Sequence, residues 1–173
     1  MRLLLPMLAL TLVLFSETRP SYAQTDPCGG YKWDVSAERA LFAMPAKAAA
    51  AGKDRTSAAP VVPNQFYAVT LLPVSGVSFP ATPGRTPPSG SFAGILALTV
   101  PAGGKYRIAV DVPLWIDVVG GATVAPVLDY EGLHECSAPR KVVVFDLQGR
   151  TDWALQLSAA DRATVRLTVM PVK

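Results

Sequence analysis

A single histidine, His134, stands in this chain of 173 residues. A facial triad of two histidines and a carboxylate cannot be assembled from it. A Ser-His-Asp triad would have to run through that one imidazole. No G-x-S-x-G elbow is present, and Ser75, Ser89 and Ser91 lie in Pro/Gly stretches with no flanking signature. G-x-x-x-x-G-K, G-x-G-x-x-G and C-x-x-C are all missing, so nucleotide, dinucleotide and dithiol redox roles lack support. Charge is sparse as well, at 17% of residues with a net +3, and the basic residues are scattered. Nucleic acid is therefore not an expected partner.

The chain opens with Met1-Arg2 and an apolar run from Leu3 to Phe15. That run is shorter than the roughly 20 residues a membrane-spanning helix needs, but it has the length of a signal-peptide core. Ser16 to Pro20 breaks it, and Ser21-Tyr22-Ala23 offers small residues where a signal peptidase reads. Residues 1–23 are read as a cleaved secretion signal. The competing reading, a retained membrane anchor, has Pro20 and the S-Y-A site against it. Thr25-Asp26-Pro27 before Cys28 is unlike a lipid-attachment site, and no Arg-Arg pair suggests the twin-arginine route. Cleavage leaves about 150 residues, enough for one domain with a real core. No further apolar run is long enough to span a membrane after cleavage, and the expected location is periplasmic or secreted.

Cys28 and Cys136 both survive cleavage. An even count in an exported protein reads as one disulfide. It would close a loop of about 107 residues, worth roughly 4–5 kcal/mol on a chain-entropy argument. The alternative is two free thiols, one of them reactive, but neither cysteine has a catalytic neighbour in sequence.

Three regions differ in composition. Residues 24–44 form an arm in which Ser36 to Phe42 suits a helix of about two turns, with Ser36 as N-cap and Trp33, Leu41 and Phe42 facing the body. Residues 45–63 are Ala-, Lys- and Pro-rich and read as a surface segment with little fixed structure, or a frayed helical turn, so that 24–63 is an arm and 64–173 the domain proper. From residue 64 short strands follow in quick succession. Phe66–Leu72, Val77–Phe79, Phe92–Val100, Lys105–Asp111, Leu114–Val119, Ala122–Leu128, Lys141–Leu147, Trp153–Leu157 and Thr164–Met170 carry the aromatic and β-branched residues. Pro80 to Gly90, with four prolines, reads as a loop at one end of the fold. Gly120-Gly121 marks a hairpin. About eight strands at roughly ten-residue spacing, with no long amphipathic helix between them, predict an all-β fold. The expected form is an antiparallel, jelly-roll-like two-sheet sandwich with a short helix-containing arm.

The F-x-G-x-L-x-L strand (Phe92 to Leu98), the P-A-G-G-K-Y-R-I turn and strand (Pro101 to Ile108), the Trp115-Ile116-Asp117-Val118 strand and the final hydrophobic hairpin give Phe92 to Met170 a resemblance. That stretch resembles the pre-peptidase C-terminal domain, a small β-sandwich of secreted bacterial peptidases, which implies a non-catalytic accessory or binding module. The early Cys28, the segment Trp33 to Phe42 and the late Cys136 before a basic-apolar strand resemble a group of short exported proteobacterial proteins. Some proteins of that group carry the label homogentisate 1,2-dioxygenase. That enzyme is similar to a longer cupin-type protein holding iron with two histidines and a carboxylate, a set this chain does not supply.

The densest polar cluster runs from Asp129 to Cys136. His134 with Asp129, Glu131 or Glu135 is the candidate metal set; the plainer reading is a solvated acidic loop beside a disulfide. Asp111 and Asp117 flank Val112-Pro113 and could pair as acid and base for glycoside hydrolysis, though strand-end carboxylates ordinarily just meet water. Trp33, Trp115 and Trp153 could form a sugar platform, but Trp115 and Trp153 sit in apolar strands and read as core, and Trp33 as cover for a sheet edge.

The leading expectation is an exported, non-catalytic β-sandwich that binds a protein or glycan of the bacterial envelope and needs no cofactor. A small metal-dependent enzyme built on the His134 loop is the alternative. A third reading is a structural part of an envelope assembly, joined through a free strand edge.

Overall fold

The computed structural model describes residues 26–149 and 152–172. The expected signal segment, residues 1–23, lies outside the described residues. The chain folds as a two-sheet β-sandwich, as the strand spacing predicts. One sheet has the order β1-β3-β12-β6-β10-β9. These are β1 (Lys47–Ala50), β3 (Phe66–Thr70), β12 (Thr164–Pro171), β6 (Gly104–Val110), β10 (Lys141–Leu147) and β9 (Val127–Gly132). The second has β2 (Ala59–Val61), β5 (Phe92–Leu98), β11 (Trp153–Ala160), β7 (Trp115–Gly120) and β8 (Thr123–Val124) in that order, with β4 (Leu72–Pro73) also pairing β5.

The alternation visible in the sequence sets the inner faces. Tyr106, Ile108 and Val110 of β6 and Val165, Leu167 and Val169 of β12 all enter the main core, with Val143, Phe145 and Leu147 of β10. Leu96, Leu98, Leu155, Leu157, Ile116 and Val118 meet them from the second sheet. The period of two puts every second side chain between the sheets.

Both outer faces are covered too. Helix α1 (Ser36–Phe42) lies where the arm's composition predicts, against the first sheet. Phe42 packs on Phe66 with ring centres 4.9 Å apart, beside Val35, Ala109 and Val142, and Trp33 and Leu41 pack against the same cluster. Ser36 is not the N-cap. Val35 holds that position, and the Asp34 carboxylate accepts from the Ser36 amide at 2.8 Å and its hydroxyl at 3.0 Å.

The segment 45–63 is ordered, contrary to the sequence reading. β1 pairs in parallel with β3 and β2 in parallel with β5, so the sandwich is mixed rather than purely antiparallel. Between them a 3₁₀ turn (Arg55–Ser57) starts at Asp54, whose carboxylate accepts from the amides of Thr56 and Ser57 at 3.1 and 2.9 Å. Hydrogen bonds from the Thr56 and Ser57 hydroxyls, both at 2.8 Å, and then that from the Ser57 amide hold Asp54 at a pKa of about 2.

The proline-rich loop also departs from expectation. Val77 to Phe79 is not a strand; a 3₁₀ turn occupies Val74–Gly76. Instead of hanging at one end, the following chain lies across the outer face of the second sheet, where Val77, Phe79 and Ala81 pack on Ile95, Val119 and Ala154. The Gly120-Gly121 hairpin is present, with Gly121 at φ 63° and Val119 opposite Val124. The returning stretch is split, however. β8 stays in the second sheet, and beyond Ala125-Pro126 the chain crosses to the first sheet as β9.

Candidate ligand-binding cleft

That crossing leaves one side of the sandwich open. The second sheet ends there on the two-residue β8, whereas the first ends on the six-residue β9. Inward-facing side chains of β9 thus lack a facing partner: Val127 is 44% and Tyr130 66% exposed. The gap is a cleft of about 290 Å³ lined by Trp115, Ile116, Val127, Tyr130, Lys141 and Val143. Strand register explains the grouping. Tyr130 lies opposite Val143, and Lys141 stands two residues before Val143 on β10, so the three share one face.

Lys141 is the cleft's cation. Its Nζ donates to the Leu114 carbonyl at 2.8 Å and stands 5.4 Å from the centre of the Trp115 ring. Burial pushes its pKa below the usual lysine range, and the like charge of Arg85 adds to this while the Asp117 carboxylate opposes it. No carboxylate among the described residues pairs with it.

Trp115 is fixed from the other side. Its Nε1 donates to Asp117 Oδ1 at 2.9 Å. Asp117 Oδ2 accepts from the Gly84 amide at 3.2 Å and from Gln156 Nε2 at 3.1 Å. The loop is thereby tied to the sheet by a buried polar knot, in which only glycine fits at position 84: an added Cβ would lie 2.8 Å from Trp115 Nε1.

Cys28 and Cys136 form a disulfide, as the sequence predicts, and it anchors the arm beside β9. Residues 129–132 belong to a strand rather than a loop, and the candidate metal set is dispersed among other partners. Asp129 pairs with Lys32 Nζ at 2.5 Å, and Glu131 Oε2 accepts from the Lys32 amide at 2.8 Å. His134 Nδ1 meets Arg140 Nη2 at 2.8 Å, and Glu135 is exposed. Among the described residues no three His, Cys, Asp or Glu side chains are grouped as a cation requires. Lys32 Nζ also reaches the Tyr130 carbonyl at 3.3 Å, so the edge of β9 is covered by Lys32 rather than by its neighbour Trp33.

The paired-carboxylate reading fails on partners. Asp111 is held by the Arg166 amide and Nε at 2.7 and 2.8 Å in the first sheet, while Asp117 sits in the knot of the second. The three tryptophans do not form a platform. Trp153 is core, Trp33 joins the arm cluster, and Trp115, which the sequence places in the core, lines the cleft. Sequence reasoning missed Lys141 and Tyr130. The one available signal was a lysine heading a strand that is apolar apart from Asp146.

No helix among the described residues is long and apolar enough to cross a membrane. No protein-family model, curated protein or solved structure matches this chain.

Proposed function

We propose that this chain is an exported, non-catalytic β-sandwich protein of the bacterial envelope, and that it binds a ligand in the cleft between Trp115, Tyr130 and Lys141. The observation that carries the reading is the cleft itself. It brings two aromatic rings and one unpaired ammonium together at an open edge, whereas the histidine and the candidate carboxylates are engaged elsewhere. Pockets that combine apolar walls with one placed polar group are the usual form of a small-molecule site. The disulfide and the signal-like residues 1–23 support export. The resemblance of Phe92 to Met170 to the pre-peptidase C-terminal domain supports an accessory role rather than catalysis.

Two measurements test this. Intact mass of the protein recovered from a bacterial periplasm or medium should correspond to a chain starting at Gln24; a full-length chain retained in the cytoplasm sinks export. An amide NMR screen against small acids, glycans and peptides of the envelope should concentrate shifts at residues 115–116, 127–130 and 141–143. Binding with shifts elsewhere sinks the cleft as the site.

A further inference from the structure

The walls and the cation together narrow the ligand. Of the three N–H donors on Lys141, one is directed at the Leu114 carbonyl. Three charged groups act here: the Lys141 ammonium, the Arg85 guanidinium and the Asp117 carboxylate. Asp117 is committed to the Trp115 indole, the Gly84 amide and Gln156, leaving the local sum at one positive charge. An ammonium held in a largely apolar recess favours a monoanion that can neutralise it.

The remaining walls are Ile116, Val127, Val143 and the rings of Trp115 and Tyr130. A sugar would bring several hydroxyls to a surface whose side-chain donors are the Lys141 ammonium and the Tyr130 hydroxyl, with the Trp115 indole committed to Asp117, and each unmatched hydroxyl would lose its water without replacement. An aryl ring or short acyl chain loses nothing there and gains contact with both rings. At about 290 Å³ the cleft suits a body of that size rather than a long lipid.

We infer that the cleft takes a small monocarboxylate with an aryl or short acyl body, its carboxylate on Lys141 Nζ and its body between Trp115 and Tyr130. The inference rests on the cleft being the binding site.

The test is calorimetric titration of the mature, disulfide-bonded protein with 3-phenylpropanoate and with its uncharged analogue 3-phenylpropanamide. The acid should bind at least tenfold more tightly than the amide. Lys141→Met keeps the length of the side chain and removes its charge; it should reduce acid binding at least tenfold, while the amide, which loses only a hydrogen bond to an uncharged carbonyl, weakens clearly less, so that the preference for the acid disappears. Tyr130→Ala, at a position already exposed in the fold, should weaken both probes several-fold. Equal binding of acid and amide, both weakened by Tyr130→Ala, overturns the carboxylate preference while the cleft stands. Acid preference surviving in Lys141→Met likewise overturns the role of the ammonium. Binding of neither probe overturns the ligand class, and the NMR screen then decides the cleft on its own.

Discussion

The carboxylate of Glu38 lies 3.0 Å from Nε of Arg107, with Glu38 wholly removed from solvent beneath α1. Arg107 donates through Nη1 to the Asp34 carbonyl at 2.7 Å, so the pair pins the arm to the middle of the first sheet. Desolvation outweighs the attraction of the guanidinium, and the Glu38 pKa is raised above 4.5. The folded state therefore holds this proton more tightly than the unfolded chain does. The stability Glu38 contributes is full below pH 4.5 and is lost as pH rises through its folded-state value. Urea melts of the native protein and of Glu38→Gln, from pH 4.5 to 7.5, should show the native protein losing ground to the variant as pH rises. Arg107→Met leaves Glu38 buried and unpaired and should cost about 3–5 kcal/mol at neutral pH. A pH-independent difference between native and Glu38→Gln would remove the desolvation argument.

The disulfide makes a separate prediction. Cys28 and Cys136 are 108 residues apart and both buried, within the cluster that joins the arm to the first sheet. Cys28→Ser or Cys136→Ser should lower stability by roughly 4–5 kcal/mol, since the unbonded chain regains the entropy of a long loop. Thermal melts with and without reductant check this directly. Equal melting temperatures would mean that packing at Tyr31, Phe42 and Val142 holds the arm without the bond.

Strands such as β6 and β12 were legible because burial on one face writes a period of two into their own residues, as in Val165, Leu167 and Val169. α1 was legible because Ser36 to Phe42 carries helix formers and ends on Leu41 and Phe42, which turn to the sheet; that Glu38 shares their buried face was not. β1 and β2 were not. Lys47–Ala50 and the Pro60-containing Ala59–Val61 have little intrinsic strand preference, and their pairing with β3 and β5 is a matter of distant backbone partners at sheet edges. The cleft was hidden for a related reason. Tyr130 and Lys141 are unremarkable in sequence, and they become a site only because β8 stops after two residues where β9 continues. An end of one sheet relative to another is a tertiary fact with no local pattern. The His134 cluster was the reverse case: Asp129 and Glu131 share one face of β9 and both engage Lys32, whereas His134 lies past the end of that strand and meets Arg140.

Ala159 sits in a left-handed conformation, φ 58°, at the irregularity where β11 slips register against β5 between Leu157 and Ala160. A Cβ in that region costs about 1–2 kcal/mol, against a loss of roughly 0.5–1 kcal/mol for the greater freedom of glycine when unfolded. Ala159→Gly should be a rare stabilising change, by about 0.5 kcal/mol, seen as a higher urea midpoint with an unchanged slope. A fall of 1 kcal/mol or more would show that the methyl group's packing outweighs the backbone strain.

The knot at Asp117 links the covering loop to the cleft wall, and two changes should report on it in different ways. Gly84→Ala puts a methyl group 2.8 Å from Trp115 Nε1, so either the indole or the loop must move. Overpacking of this kind costs about 1–3 kcal/mol. Asp117→Asn keeps the volume but replaces one acceptor oxygen by an amide donor. Facing Gly84 N–H and Gln156 Nε2, that donor leaves hydrogens opposed to hydrogens, a cost of about 1–3 kcal/mol. Either orientation of the Asn amide fails, because Trp115 Nε1 claims the other oxygen. The two sites share partners, so the double variant should lose clearly less than the sum of the single losses. Tryptophan emission should shift in both single variants, in Gly84→Ala because the methyl group displaces the indole and in Asp117→Asn because Trp115 loses its carboxylate partner. Additive losses with unchanged emission would mean that the loop and Trp115 are held independently, and that the cleft wall does not depend on the loop above it.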